Sequence, residues 1–201
     1  MERKSSQSRK TRETEIEVKL NIDGEGKNSI STGIKFLDHM LELFSFFSLF
    51  DLEIKAKGDL DIDIHHTNED VGITLGKALK EALGKAEGIE RFGYAFGSME
   101  ECLVRVVVDI CGRPKFNYAE KEFLPEKSPD LRYSLEEAEH FLESFIKQCG
   151  INLNIGIIKG SQDTHHLLEA IFKALGLSLK QATSIDPRRQ GIPSTKGIID
   201  L

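Results

Sequence analysis

The sequence predicts an α+β fold built from two similar halves, each running strand, strand, helix, strand, helix, with two small sheets enclosing four helices. Three observations predict it. The string His65-His66-Thr67-Asn68-Glu69 recurs as His165-His166-Leu167-Leu168-Glu169, 100 residues later, and each copy runs into a helical pattern containing Ala-Leu-Gly. The nearest upstream histidine is His39, 26 residues before the first pair, and His140, 25 before the second; these six are all the histidines in the chain. Hydrophobic periodicity then lays out the same order of elements twice.

Taken in order, Met1 to Arg12 is rich in Ser, Lys and Arg with no apolar run behind it, so residues 1–12 read as a flexible arm and not as a secretory signal. Thr14 to Ile22 alternates as a strand, and a shorter strand at Ser29 to Thr32 follows the Asp23-Gly24 turn. A helix from Phe36 to Phe47 comes next. It lies in a stretch carrying Asp38, His39 and Glu42, too short and too polar to span a bilayer. A strand at Leu52 to Ala56 and a helix from about Asn68 to Leu83 complete the half.

In the second half, Leu103 to Ile110 and Lys115 to Glu120 read as strands, Asn152 to Ile158 as a third, and Thr164 to Ala182 as the last helix. The helix from Ser134 to Gln148 opens on a capping box, Ser134 with Glu137 three residues on. Residues 186–201 are broken by Pro187, Gly191, Pro193 and Gly197 and read as a basic loop. The half-repeats cover about 13–92 and 93–185. Neither half can bury both faces of its helices alone, so residues 13–201 are expected to form a single pseudo-symmetric domain.

Composition narrows the partners. A formal net charge of -6 with both signs mixed argues against nucleic acid or an anionic membrane. Three cysteines, odd in number and without metal-type spacing, fit reduced thiols in a cytoplasmic protein.

The repeated histidines read as metal ligands. Residues three or four apart share a helix face, so Glu69 stands near His65 and His66, and Glu169 near His165 and His166. Adjacent histidines diverge by about 100 degrees at ~3.6 residues per turn, so each pair is expected to feed two different ions. Six histidines and two glutamates divide into two sets of four ligands, for instance three nitrogens and one oxygen each, and an ion preferring about six ligands keeps positions open for chemistry. Nitrogen with carboxylate and no thiolate points to manganese, iron, cobalt, nickel or zinc. A single histidine on an apolar helix reads more simply as a hydrogen-bonded core residue; the matching offsets speak against that for His39 and His140.

Further motifs run along nearly the whole chain, from about Thr11 to Ile199. They are Thr11-Arg12-Glu13-Thr14, Phe36-Leu37-Asp38-His39-Met40, Gly58-Asp59-Leu60 leading to His65-His66-Thr67-Asn68-Glu69-Asp70, Arg91-Phe92-Gly93, Asp109-Ile110-Cys111-Gly112-Arg113-Pro114, His165 to Ala174, and Pro193-Ser194-Thr195-Lys196-Gly197. On these the sequence resembles the imidazoleglycerol-phosphate dehydratase family of histidine biosynthesis. The resemblance implies a ribosomal S5 domain 2-like fold and a cytoplasmic hydro-lyase converting D-erythro-imidazole-glycerol phosphate to imidazole-acetol phosphate.

It also implies two Mn2+ ions per active site at subunit boundaries, with His39, His65, His66, Glu69, His140, His165, His166 and Glu169 at the ligand positions, and a closed particle of 24 subunits. Glu13 and Glu169 are the candidate proton carriers. Arg91, Arg113, Lys173, Ser194 and Lys196 match positions that bind the substrate phosphate, and Lys173, four residues beyond Glu169, is expected to link the metal and phosphate ends of the pocket. Phe47, Ile64, Glu100 and Asn154 depart from the family pattern. Phe47 and Glu100 bear on the substrate pocket, and Ile64 is expected to remove a carboxylate from behind the first histidine pair. A two-metal phosphate-ester hydrolase, with ions ~3.5 to 4 Å apart, draws on the same residue types.

Overall fold

The computed structural model describes residues 2–119 and 133–201. Among them the chain runs β1 (Lys4–Lys10), β2 (Thr14–Asn21), β3 (Asn28–Ser31), α1 (Lys35–Ser48), β4 (Asp51–Gly58), α2 (His65–Leu83), β5 (Phe92–Met99), β6 (Cys102–Ile110), β7 (Lys115–Ala119), α3 (Leu135–Cys149), β8 (Ile151–Lys159) and α4 (Thr164–Thr183). The two sheets have the same plan, β1-β2-β4-β3 and β5-β6-β8-β7. In each, the last-named strand pairs parallel and the others antiparallel.

The α+β class, the duplication, the two sheets and the four helices are as the sequence predicts. Each half, however, opens with three strands and not two. Residues 4–10, expected within a flexible arm, pair with β2 from Lys4↔Asn21 to Lys10↔Glu15. Lys-Ser-Ser-Gln-Ser-Arg-Lys has no apolar residue, so hydrophobic alternation is silent there. What holds β1 is backbone pairing on an edge, with Arg9 bonded to Asp70 of α2 at 2.6 Å.

Strand β5 is hidden for the opposite reason. Its large residues Phe92, Tyr94 and Phe96 point outward, while Gly93 and Gly97 take the inward positions. A β-carbon on Gly97 would meet the Ala170 carbonyl oxygen of α4 at 2.1 Å, so close approach demands glycine where a core strand normally shows an apolar residue. The halves therefore begin at Lys4 and Phe92, against the expected 13 and 93. Glu120, placed in a strand by periodicity, lies outside the described residues. The tail, 186–201, is a loop.

Inward faces are apolar, with Ile16, Val18 and Leu20 on β2 and Val104, Val106, Val108 and Ile110 on β6 joining one buried cluster that draws on both halves. Helices α1 and α2 lie on the first sheet and α3 and α4 on the second; α2 packs against α3, and α1 against α4. The two cross-half contacts are close. A β-carbon on Gly76 would stand 2.3 Å from the Phe145 carbonyl oxygen, and its repeat mate Gly176 would place one 2.8 Å from that of Phe44. These crossings bring the first turns of α2 and α4 beside histidines on α3 and α1.

Candidate metal centre

Helix α2 starts at His65, three residues earlier than periodicity suggests, because Asp63 accepts a hydrogen bond from the His65 amide at 2.8 Å. Asp163 does the same for His165 at 2.8 Å. Both histidine pairs thus occupy the first turn of a helix, where the backbone is fixed and side chains project from the helix end.

Two groups result, each with ligand atoms within 4.8 Å of one another: His39, His165 and Glu169, and His65, Glu69 and His140. In the first, the Nε2 atoms of His39 and His165 lie 2.9 and 3.1 Å from Glu169 Oε1. In the second, the His65 and His140 rings stack 4.2 Å apart, and His140 Nε2 faces Glu69 Oε1 at 3.9 Å. The buried Nδ1 of His140 has no hydrogen-bond partner among the described residues. Two imidazole nitrogens and one carboxylate oxygen, each contributed by two helices, suit a first-row divalent cation.

The sequence leaves the partition open, three nitrogens per set being one division; among the described residues one chain brings two into each. His66 and His166 turn away from their neighbours, as the helical angle between adjacent residues requires. His66 Nδ1 lies 3.0 Å from Asp59 Oδ2 and 3.8 Å from Glu13 Oε2. The Asp59 hydrogen bond, against the opposing effect of desolvation, raises the His66 pKa above its ordinary 6.5. His166 Nδ1 lies 3.4 Å from Glu101 Oε2, and Glu101 also accepts a hydrogen bond from Ser161. That Ser161 bond, more than His166, holds the Glu101 pKa low.

Sequence reasoning missed both carboxylates. Ile64 does not leave the first pair without an acid, because Asp59, five residues further upstream, takes that place while Ile64 packs against the core. Glu101 is the repeat mate of Glu13: the two stand 88 residues apart, as do the first residues of β1 and β5, each in the hairpin between the first two strands of its half. That offset differs from the 100 of the histidine pairs and so escapes a search at one period. The other departures have local settings. Phe47 lies beside Gly176 at the α1–α4 crossing, Glu100 takes the left-handed conformation (φ 47°) in the β5–β6 turn, and Asn154 accepts from Asn117 at 3.0 Å.

Glu169 is nearly buried, which on its own would raise its pKa. Hydrogen bonds from Lys173, His39 and His165 and the Lys173 charge outweigh that and lower it to about 2. Lys173 Nζ lies 2.7 Å from Glu169 Oε2 and 3.3 Å from Met99 Sδ. A carboxylate so held is well prepared as a ligand and is a weak base at neutral pH.

Four of the five predicted phosphate-binding residues come together. Arg91, Arg113, Ser194 and Lys196 line a cavity of about 300 Å³ with Cys111, Gly112 and Thr195. Arg91 is fixed by Asp109 at 2.7 and 3.1 Å and by the Pro193 carbonyl at 3.0 Å, with its backbone in the left-handed region at φ 72°. Lys173 does not line this cavity. The Arg91 amide donates to Ala182, in the last turn of α4, whereas Glu169 is in the second turn. Thirteen residues of helix, from 169 to 182, span ~20 Å at ~1.5 Å per residue. Within one chain the cationic cavity and the Glu169 cluster therefore sit at opposite ends of α4.

Comparison with known proteins gives a consistent result. The family model for imidazoleglycerol-phosphate dehydratase matches residues 32–179. The imidazoleglycerol-phosphate dehydratase of Thermoanaerobacter pseudethanolicus is 52% identical over 198 residues, covering 98% of this chain and 100% of the relative. That of Acetivibrio thermocellus is 49% identical over 199 residues, 99% of this chain and 100% of the relative. Among solved structures, the Staphylococcus aureus enzyme superimposes with a TM-score of 0.79 at 33% identity, covering 91% of this chain and 99% of that one. The Pyrococcus furiosus enzyme gives 0.78 at 35% identity, with 96% and 99% covered.

Proposed function

The chain belongs to the imidazoleglycerol-phosphate dehydratase family, hydro-lyases of histidine biosynthesis, and from that premise we propose that it dehydrates D-erythro-imidazole-glycerol phosphate to imidazole-acetol phosphate at sites holding two Mn2+ ions each. The observation that carries the di-metal reading is the mirrored pair of His-His-Glu clusters. His39, His165 and Glu169 would hold one ion, and His65, Glu69 and His140 the other. His66 and His166, turned out of their own clusters, complete the sites of neighbouring subunits. Bound there, the cations supply Lewis-acid polarisation of the imidazole ring.

The chain's own residues do the rest. The proton to be removed is on carbon and hydroxide is a poor leaving group, so a positioned base is needed. Glu13, beside His66 and half exposed, is the candidate to take that proton. Glu169, its pKa lowered to about 2, serves first as an anchoring carboxylate and carries a proton only when its partners shift. Arg91, Arg113, Ser194 and Lys196 donate charge-assisted hydrogen bonds to the phosphate, and Lys173 stands at the metal end.

A small phosphate ester does not span ~20 Å, so the phosphate cavity of one subunit is expected to meet the metal clusters of others. This supports assembly with neighbouring subunits, for which we propose the closed particle of 24 that the family resemblance implies. So does the outer face of the second sheet, where Phe92, Tyr94 and Phe96 are each more than half exposed, against the charged Glu15, Glu17, Lys19 and Lys55 on the first. Three unpaired buried cysteines fit the cytoplasm, and no helix among the described residues is long and apolar enough to cross a membrane.

Incubating the metal-replete protein with the imidazole substrate should release an enolisable ketone. Release of inorganic phosphate instead would favour a two-metal hydrolase.

A further inference from the structure

The two clusters repeat each other in ligands but not in charge. Glu169 commits one oxygen to Lys173 at 2.7 Å and the other to His39 and His165 at 2.9 and 3.1 Å. Lys173 also contacts Met99 Sδ at 3.3 Å, and only 18% of its side chain is exposed, so its charge is poorly screened by solvent. Four residues beyond Glu69, the repeat position carries Ile73. The Glu69 side chain is 42% exposed, and its ion-pair contact among the described residues is with His140 alone, at 3.9 Å.

We propose that Lys173 makes the two metal sites unequal, so that the His65, Glu69 and His140 cluster takes up a divalent cation first and the His39, His165 and Glu169 cluster fills only at higher concentration. This rests on the two-cluster reading given above. A positive charge fixed one carboxylate away repels an incoming cation, and partly buried charges are screened less than exposed ones. Glu169 must also share itself with a charge-assisted hydrogen bond that Glu69 does not make among the described residues. The affinities are expected to differ by tenfold or more, equivalent to ~1.4 kcal/mol.

Titrating the metal-free protein with Mn2+, and following the free ion by electron paramagnetic resonance, tests this without reference to turnover. The unaltered protein should show two classes of one ion per chain each, separated at least tenfold. Lys173→Met removes the charge at similar length and should raise the weaker class toward the stronger. Ile73→Lys, at a half-buried position, should weaken the stronger class, and His39→Asn should remove the weaker class alone. Two classes of equal affinity, or a gap that Lys173→Met leaves unchanged, would overturn the inference while leaving the two-cluster reading standing. Fewer than two ions per chain would sink both.

Discussion

His65 and His140 stack with ring centroids 4.2 Å apart and planes 13° from parallel, although they come from different halves of the chain. Their meeting depends on how closely α2 crosses α3, and that crossing has no room for a β-carbon at Gly76. Gly76→Ala should lower stability by ~1 to 3 kcal/mol through overpacking, seen as a lower thermal midpoint. It should also weaken Mn2+ binding at the His65, Glu69 and His140 cluster more than at the other. Equal effects on both clusters would show that the crossing does not set the ligand geometry.

Asp59→Asn should remove the acid that orients His66. In the metal-free native protein the His66 pKa is raised above 6.5. A group whose pKa rises on folding contributes stability that is fully present below about 6.5 and is lost as pH climbs through the native value. The variant should lose that contribution, and its His66 should titrate nearer 6.5 by nuclear magnetic resonance. Metal affinity is expected to fall ~10 to 100-fold. An unchanged His66 titration would remove Asp59 from this role.

For Glu169 the sign is reversed. Its pKa falls from 4.5 to about 2 on folding, so the stability it contributes is present above 4.5 and lost as pH drops toward 2. Metal-free Glu169→Gln should remain folded at neutral pH and show a shallower loss of urea resistance between those values. Metal-replete, it should turn over at least ~100-fold more slowly. Near-normal turnover would contradict both roles assigned to this residue.

The duplication and the six histidines were legible because their offsets, 100 and 101 residues, nearly coincide and they are of one residue type. The two opening strands were not, for opposite physical reasons: β1 has no apolar face, and β5 shows glycine inward and aromatics outward. Asp59 was visible only as part of a motif, since nothing in its spacing from His66 says that the loop folds back to within 3.0 Å. The grouping of Arg91 with residues of the tail depends on a contact 102 residues away, to Pro193. No local pattern encodes that. Lys173 was read correctly as sharing a face with Glu169, but its separation from the phosphate cavity follows from where the tail packs along α4.

Chelation provides a test of assembly. Because His66 and His166 leave their own clusters, stripping the metal should abolish turnover and convert the proposed 24-subunit particle into smaller species by light scattering. A particle of unchanged mass would mean that the interfaces do not depend on metal.

We propose that the two His-His-Glu groups on one chain are cation sites. Anomalous X-ray scattering from crystals grown with Mn2+ measures this directly. Peaks should lie among His39, His165 and Glu169 and among His65, Glu69 and His140, with a histidine from a neighbouring subunit in reach of each. Peaks elsewhere, or none at these six side chains in the presence of saturating metal, would contradict it.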